Sequence, residues 1–115
     1  MRGFREIDVN ELCGWLGNCG DGEPPPRLID VRSPGETARG VLPSAELVPL
    51  AVLPVCSDDL AGSGPLVFYC QSGARSAQAC AFMAERGHDK VYSLRGGIMA
   101  WLQGGQPVTQ SPQDA

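Results

Sequence analysis

Apolar and polar positions fall into blocks along the chain, and each block carries the period of one kind of element. Val9, Leu12, Trp15 and Leu16 recur at helical spacing behind Asp8-Val9-Asn10-Glu11, which resembles a capping box with Asp in place of Ser or Thr, and predict a helix over 8–16. Gly17 to Pro26, rich in glycine and ending in three consecutive prolines, reads as an exposed loop. Arg27 to Arg32 is a short apolar run suited to a buried strand, and Ser33-Pro34-Gly35-Glu36 turns the chain into a short helix or turn. Glu46 to Leu50 is a further strand candidate. Ala51 to Gly64 carries one short helix at most, because Pro54 interrupts an early start and little periodicity follows Ser57-Asp58-Asp59-Leu60. Pro65 to Tyr69 is the clearest strand and Ala74 to Arg86 the clearest helix, closed by Gly87 as a left-handed C-cap. Lys90 to Leu94 is the next strand. Gly96-Gly97 then breaks the chain before the apolar helical turn Ile98 to Leu102, and from Gly104 onward the sequence is polar and tail-like.

Strands alternating with helices imply an α/β fold with a parallel sheet covered on both faces, whose ligand sites lie outside the C-terminal ends of strands. At 115 residues with 43% hydrophobic content the chain is one domain with room for a core. Nine Lys plus Arg against thirteen Asp plus Glu give a net charge of −4, which argues against nucleic acid or an anionic membrane as the main partner. No run reaches the ~18–20 apolar residues of a membrane span, and Met1 to Asn10 carries charges where a signal peptide has its apolar region, so the expected location is the cytoplasm. The five cysteines, Cys13, Cys19, Cys56, Cys70 and Cys80, are odd in number and irregularly spaced. They form neither a disulfide framework nor a zinc pattern, and no metal or organic cofactor is expected. Cys13 and Cys19 read as packed thiols in preference to a redox pair. Cys80 shares a helix face with Ala77, Ala81 and Ala84 and reads as core.

The chemistry concentrates at Cys70, where the strand Leu66 to Tyr69 meets the polar loop Gln71-Ser72-Gly73-Ala74-Arg75-Ser76 and the start of a helix. Backbone N–H groups converge on such a strand end, and the helix dipole adds positive charge. A thiolate is stabilised there, with a pKa that falls from roughly 8.5 to about 3.5–7.5 in electropositive sites. Cys70 is therefore the candidate nucleophile rather than a small buried hydrophobe. Gly73 supplies a positive φ or a close backbone approach. Ser72 and Ser76 offer hydroxyl donors, Ser76 being equally suited to an N-cap. Arg75 is the candidate for steering an anionic donor, the alternative being an outward pair with a surface carboxylate.

These residues resemble the single-domain rhodaneses, the thiosulfate-type sulfurtransferases, through nearly the whole chain. Leu28-Ile29-Asp30-Val31-Arg32 with Pro34, Glu36 and Gly40 is similar to that family's first motif, Cys70 to Ser76 to its active-site loop, and Val91 to Trp101 to its closing motif. The resemblance implies a rhodanese-like fold with a central parallel five-stranded sheet over residues 1–105, followed by a flexible tail over 106–115. It implies a cysteine that cycles between thiolate and persulfide. Asp30, Arg32 and Glu36 then read as supporting residues, an anchor plus an Arg32 to Glu36 ion pair holding the neighbouring loop. The chain departs from the family at Gly40-Val41-Leu42 and at Ser44-Ala45-Glu46-Leu47-Val48-Pro49, where the usual histidine and asparagine are absent. His88 reads as a surface residue.

The expected activity is transfer of a sulfane sulfur from thiosulfate or a persulfide to cyanide, a thiol or a protein cysteine, through a Cys70 persulfide in a ping-pong cycle. One alternative is a sulfur carrier or regulatory binding module in a relay with another protein. Another is a phosphatase or arsenate reductase on the same fold. That signature has five residues between Cys and Arg, whereas Gln71 to Ala74 are four, a tighter cradle suited to a single sulfur.

Overall fold

The computed structural model describes residues 4–17, 25–60 and 64–111. Five strands form one parallel sheet: β1 (Arg5–Ile7), β2 (Arg27–Asp30), β3 (Glu46–Leu47), β4 (Leu66–Tyr69) and β5 (Val91–Leu94), in the order β1-β5-β4-β2-β3. The helices are α1 (Val9–Gly17), α2 (Pro34–Thr37), α3 (Leu53–Leu60), α4 (Ala74–Glu85) and α5 (Gly97–Gln103).

Alternation along the strands sends side chains to two cores. Ile29, Val31, Leu66, Phe68, Cys70 and Val91 face one way, with Leu53 and Leu60 of α3 and Ala79, Cys80 and Met83 of α4. Leu28, Val67, Tyr69 and Leu94 face the other, with Leu12 of α1 and Ile98 and Trp101 of α5. With both faces covered, the central strands are apolar at nearly every position, which is why they stand out as continuous runs. The central strand β4, buried along its length, ends on Cys70 at the C-terminal rim of the sheet.

The capping box predicted at the start of α1 is present: the Asp8 N–H donates to Glu11 Oε1 (3.1 Å) and the Glu11 N–H to Asp8 Oδ1 (2.8 Å). At the end of α4, Gly87 has φ 95°, its N–H donates to the Ala84 carbonyl and the His88 N–H to that of Met83, a Schellman closure. Pro54 does not interrupt α3 but sits in its first turn, where its missing N–H costs nothing.

Two features depart from the sequence reading. β1 carries no strand signal, because it is a three-residue edge strand with only Ile7 buried, held by main-chain pairing to β5. The start of the expected tail is docked: Val41 and Thr109 exchange both backbone hydrogen bonds (2.9 and 2.8 Å), and Trp101 Nε1 donates to the Pro107 carbonyl (2.7 Å). The polar composition there hides main-chain groups that satisfy a buried indole and an otherwise open backbone. Cys13 is half-buried against the α1 side of the core, whereas Cys19 and most of the predicted glycine-proline loop lie outside the described residues.

Candidate active site

Period-two alternation puts Cys70 on the same face as Phe68 and as Ser93 of the neighbouring strand, since Phe68 and Ser93 are register partners. The chain then turns through Gly73, whose φ of 121° only glycine adopts readily, and enters α4 with Gly73 at the N-cap. This turn aims the first N–H groups of the helix at the sulfur. The Gly73 N–H donates to Cys70 Sγ at 3.0 Å and the Ser76 N–H at 3.4 Å, while the Ser76 hydroxyl stands 3.7 Å away. Ser76 Oγ is itself held by Ser93 Oγ at 2.8 Å and by the Gly73 carbonyl at 3.1 Å.

Burial pushes the Cys70 thiol up and is the largest single influence on it. The N–H and hydroxyl of Ser76, followed by the N–H groups of Gly73 and Ser72, together outweigh burial and hold the thiol below its ordinary value. Cys80, in the same core but without donors, is pushed well above the ordinary thiol range by burial alone. Two buried cysteines on one face thus have opposite chemistry, decided by the loop.

The loop is clamped from the far side by α5. The Ile98 N–H donates to the Cys70 carbonyl (2.9 Å) and the Met99 N–H to the Gln71 carbonyl (3.2 Å), which turns both carbonyls away from the sulfur. Gly97 makes this possible, since a Cβ there would meet the carbonyl oxygens of Cys70 and Gln71.

The supporting charges pair differently from the expected Arg32 to Glu36 bridge. Arg32 is buried and bound to buried Asp30, with Nη2 2.7 Å and Nε 3.0 Å from its carboxylate oxygens, and Nη2 also donates to the Gly40 carbonyl (2.7 Å). Glu36 instead binds Arg75, Nη1 to Oε1 at 2.6 Å and Nη2 to Oε2 at 2.8 Å. Of Glu36 the Arg32 side chain reaches only the carbonyl (3.4 Å), because Asp30, two residues back at the end of β2, is the nearer carboxylate. Arg75 therefore takes the carboxylate-paired alternative, with Glu36 as the partner.

The structure brings Cys70, Gly73 and Ser76 together at the end of β4. The Ser72 side chain is exposed, and its backbone N–H, not its hydroxyl, serves the sulfur; the Gln71 and Ala74 side chains are also exposed. Ser93 was missed, although a serine on the inward face of an apolar strand is a signal that can be read. No cluster of three or more metal-ligating side chains exists among the described residues.

A thiol cradled by backbone N–H groups at the tip of the central strand of a five-stranded parallel α/β sheet defines a class of cysteine-centred domain. A model of the rhodanese-like domain matches residues 16–104, and the chain belongs to that family. It is 42% identical over 103 residues to a sulfurtransferase of Allochromatium vinosum, covering 90% of this chain and 92% of that one. A putative sulfurtransferase of Bacillus subtilis, YtwF, is 38% identical over 74 residues, 64% of this chain and 71% of that one. A rhodanese-related protein from Thermoplasma volcanium superposes with a TM-score of 0.81 at 25% identity, covering 94% of this chain and 100% of that one.

Proposed function

We propose that the protein is a sulfurtransferase in which Cys70 is the nucleophile and the persulfide carrier. The observation that carries this reading is the convergence of the Gly73 and Ser76 N–H groups on Cys70 Sγ (3.0 and 3.4 Å), a built site for negative charge on sulfur. The names of the two sequence relatives support it.

In the first half-reaction the Cys70 thiolate attacks the outer sulfur of thiosulfate or a persulfide. A Cys70 S–S bond forms, and the old bond to that sulfur breaks with its electron pair leaving on sulfite or a thiolate. The terminal sulfur of the persulfide carries the charge, and loop donors preorganised around it lower the barrier, each such donor being worth up to ~10²–10³ in rate. In the second half-reaction cyanide, a thiol or a protein cysteine attacks the terminal sulfur and returns Cys70 as thiolate. The cycle is ping-pong and uses no metal or organic cofactor. Gln71, Ser72, Ala74 and Arg75 complete the loop, Glu36 holds it through Arg75, and the Asp30–Arg32 pair supports the α2 segment that carries Glu36.

Phosphoryl transfer fits less well, because both Nη atoms of Arg75 are occupied by Glu36 and the loop is one residue short of that signature. No helix of the described residues is long and apolar enough to cross a membrane. A free thiolate nucleophile suits the reducing cytoplasm, where we place the protein.

The test is intact-mass spectrometry of the reduced protein before and after thiosulfate or a small persulfide. A gain of one sulfur, about 32 Da, reversed by reductant and lost in Cys70→Ser, is the expected result for a covalent intermediate. No uptake from any donor overturns the reading.

A further inference from the structure

Residues 107–111 lie past residue 104, where the match to the rhodanese-like domain ends, and contribute no helix and no strand of the sheet. They are nonetheless fixed at three successive positions. The Pro107 carbonyl accepts from Trp101 Nε1 of α5 (2.7 Å). Val108 packs over Gly40, where a Cβ would stand 3.3 Å from Val108 Cγ2. Thr109 exchanges both main-chain hydrogen bonds with Val41 (2.9 and 2.8 Å). The side chains of Pro107, Val108, Thr109 and Gln110 are exposed, so the segment is held mainly by its backbone and adds little to either core.

Both anchors lead to the strand end that carries the sulfur. On one side, the N–H of Leu42, the residue after Val41, donates to the hydroxyl of Tyr69 (3.0 Å), the residue before Cys70. The Gly40 carbonyl, beneath Val108, accepts from Arg32 Nη2 (2.7 Å). On the other side, α5 runs back from Trp101 to Ile98 and Met99, whose N–H groups hold the Cys70 and Gln71 carbonyls (2.9 and 3.2 Å). The segment therefore closes a ring of contacts that runs from the end of β4 through residues 40–42, residues 107–109 and α5 back to the Cys70 carbonyl.

We propose that residues 107–109 are a strap that positions the Cys70 loop by fixing α5 against residues 40–42. The inference rests on Cys70 being the reactive thiol, as the sulfur-transfer reading requires, and on no particular donor or acceptor. The Gly73 and Ser76 N–H groups serve the sulfur only while they point at it, 3.0 and 3.4 Å away, and burial opposes them at every position of the loop. When α5 drifts, the carbonyls of Cys70 and Gln71 lose their fixed donors and the turn that aims those N–H groups is free to relax. Burial of the sulfur stays, and the thiol becomes harder to ionise. The strap is thus a positioning element that acts on the sulfur through α5 and Tyr69.

Thr109→Pro removes the N–H that the Val41 carbonyl accepts, whereas Thr109→Val keeps both main-chain bonds. The rate of Cys70 alkylation by iodoacetamide against pH, read by peptide mass in the full chain, gives the midpoint of the thiol in each. The midpoint is expected to rise by about half a pH unit in Thr109→Pro, which slows alkylation on the acid side about threefold, and to stay in place in Thr109→Val. Hydrogen exchange at the Ile98 and Met99 amides should quicken in Thr109→Pro alone. Val108→Gly removes the contact over Gly40 and frees the backbone at an exposed position; it should move the midpoint the same way, and it decides the matter where Thr109→Pro does not fold. A segment with a structural role alone would lower the denaturant midpoint of these variants and leave the Cys70 profile and the two amides unmoved, and that result overturns the strap while Cys70 keeps its role. A wild-type Cys70 that titrates like an ordinary exposed thiol overturns the nucleophile reading, and the strap's role with it.

Discussion

Arg75 and Glu36, 39 residues apart in sequence, face each other with two hydrogen bonds of 2.6 and 2.8 Å. The same carboxylate accepts from the N–H (3.1 Å) and hydroxyl (3.0 Å) of Ser33, so one glutamate caps α2 and ties it to the first turn of α4. Arg75 is thereby a positioning residue for the loop. Glu36→Gln is expected to slow sulfur uptake by Cys70 about tenfold, because small displacements at a preorganised site are costly in rate. Quenched mass spectrometry against time checks this. Faster uptake from thiosulfate in the variant, as from a guanidinium set free to bind the anion, sinks the positioning role.

The same pair predicts an acid limit. The Arg75 hydrogen bonds hold the Glu36 carboxyl down at about 2, against the upward pull of burial and with help from Ser33. A carboxyl whose folded pKa lies below its unfolded value, about 4.3 for glutamate, contributes stability that is fully present above that pH. The contribution is lost as the pH falls towards 2. Both side chains are about a third exposed, so the effect is modest. Denaturant midpoints should show wild type ahead of Glu36→Gln at pH 6, with the gap closing near pH 2. A gap independent of pH excludes this linkage.

The Ser76 N–H donates to the sulfur, the Cys70 thiol donates to Ser76 Oγ, and Ser93 holds that hydroxyl at 2.8 Å, beside a sulfur whose ionised form the hydroxyl favours. Ser76→Ala keeps the N–H and removes the hydroxyl, so the Cys70 thiol should titrate at higher pH and react more slowly on the acid side of its midpoint. Ser93→Ala should move the profile in the same direction by less. The rate of Cys70 alkylation against pH measures both, and an unmoved midpoint in Ser76→Ala would show that the backbone donors suffice.

The two central strands and α4 were legible because sheets covered on both faces write themselves as unbroken apolar runs and because Gly87 closes the helix in the expected way. Cys70 was legible for a local reason: the strand end, the glycine and the helix start are contiguous in sequence, so the cradle needs no distant residue. The pairings were not legible. Arg32 has a carboxylate two residues before it, Asp30, and another four residues after it, Glu36, and only the meeting of α2 with α4 in space assigns Glu36 to Arg75 and leaves Asp30 to Arg32. β1 and the Val41–Thr109 bridge are held by main-chain bonds, which leave no side-chain pattern to read.

Asp30 and Arg32 form a buried pair, and neither carries solvent to compensate the other's loss. Asp30→Ala is expected to cost about 3–5 kcal/mol, since it leaves an uncompensated buried charge. Replacing both residues with apolar ones should cost less than the single change. Urea denaturation of the three proteins checks the order, and a double variant no more stable than Asp30→Ala would count against the charge explanation.

Gly97 and Gly105 have similar backbones, φ 59° and 77°, but different surroundings. A Cβ on Gly105 meets nothing within 4 Å, whereas one on Gly97 comes within 2.6 Å of the Gln71 carbonyl oxygen and also meets that of Cys70. Gly105→Ala should therefore cost only the left-handed backbone penalty, about 1 kcal/mol. Gly97→Ala adds overpacking against backbone that cannot move aside cheaply, for a total of about 2–4 kcal/mol. It should also lower sulfur uptake in protein that is still folded, because the displaced carbonyls belong to the loop that aims N–H groups at Sγ. Thermal unfolding and the loading assay separate the two effects: equal losses of stability in both variants, with normal loading in Gly97→Ala, would show that α5 does not clamp the loop.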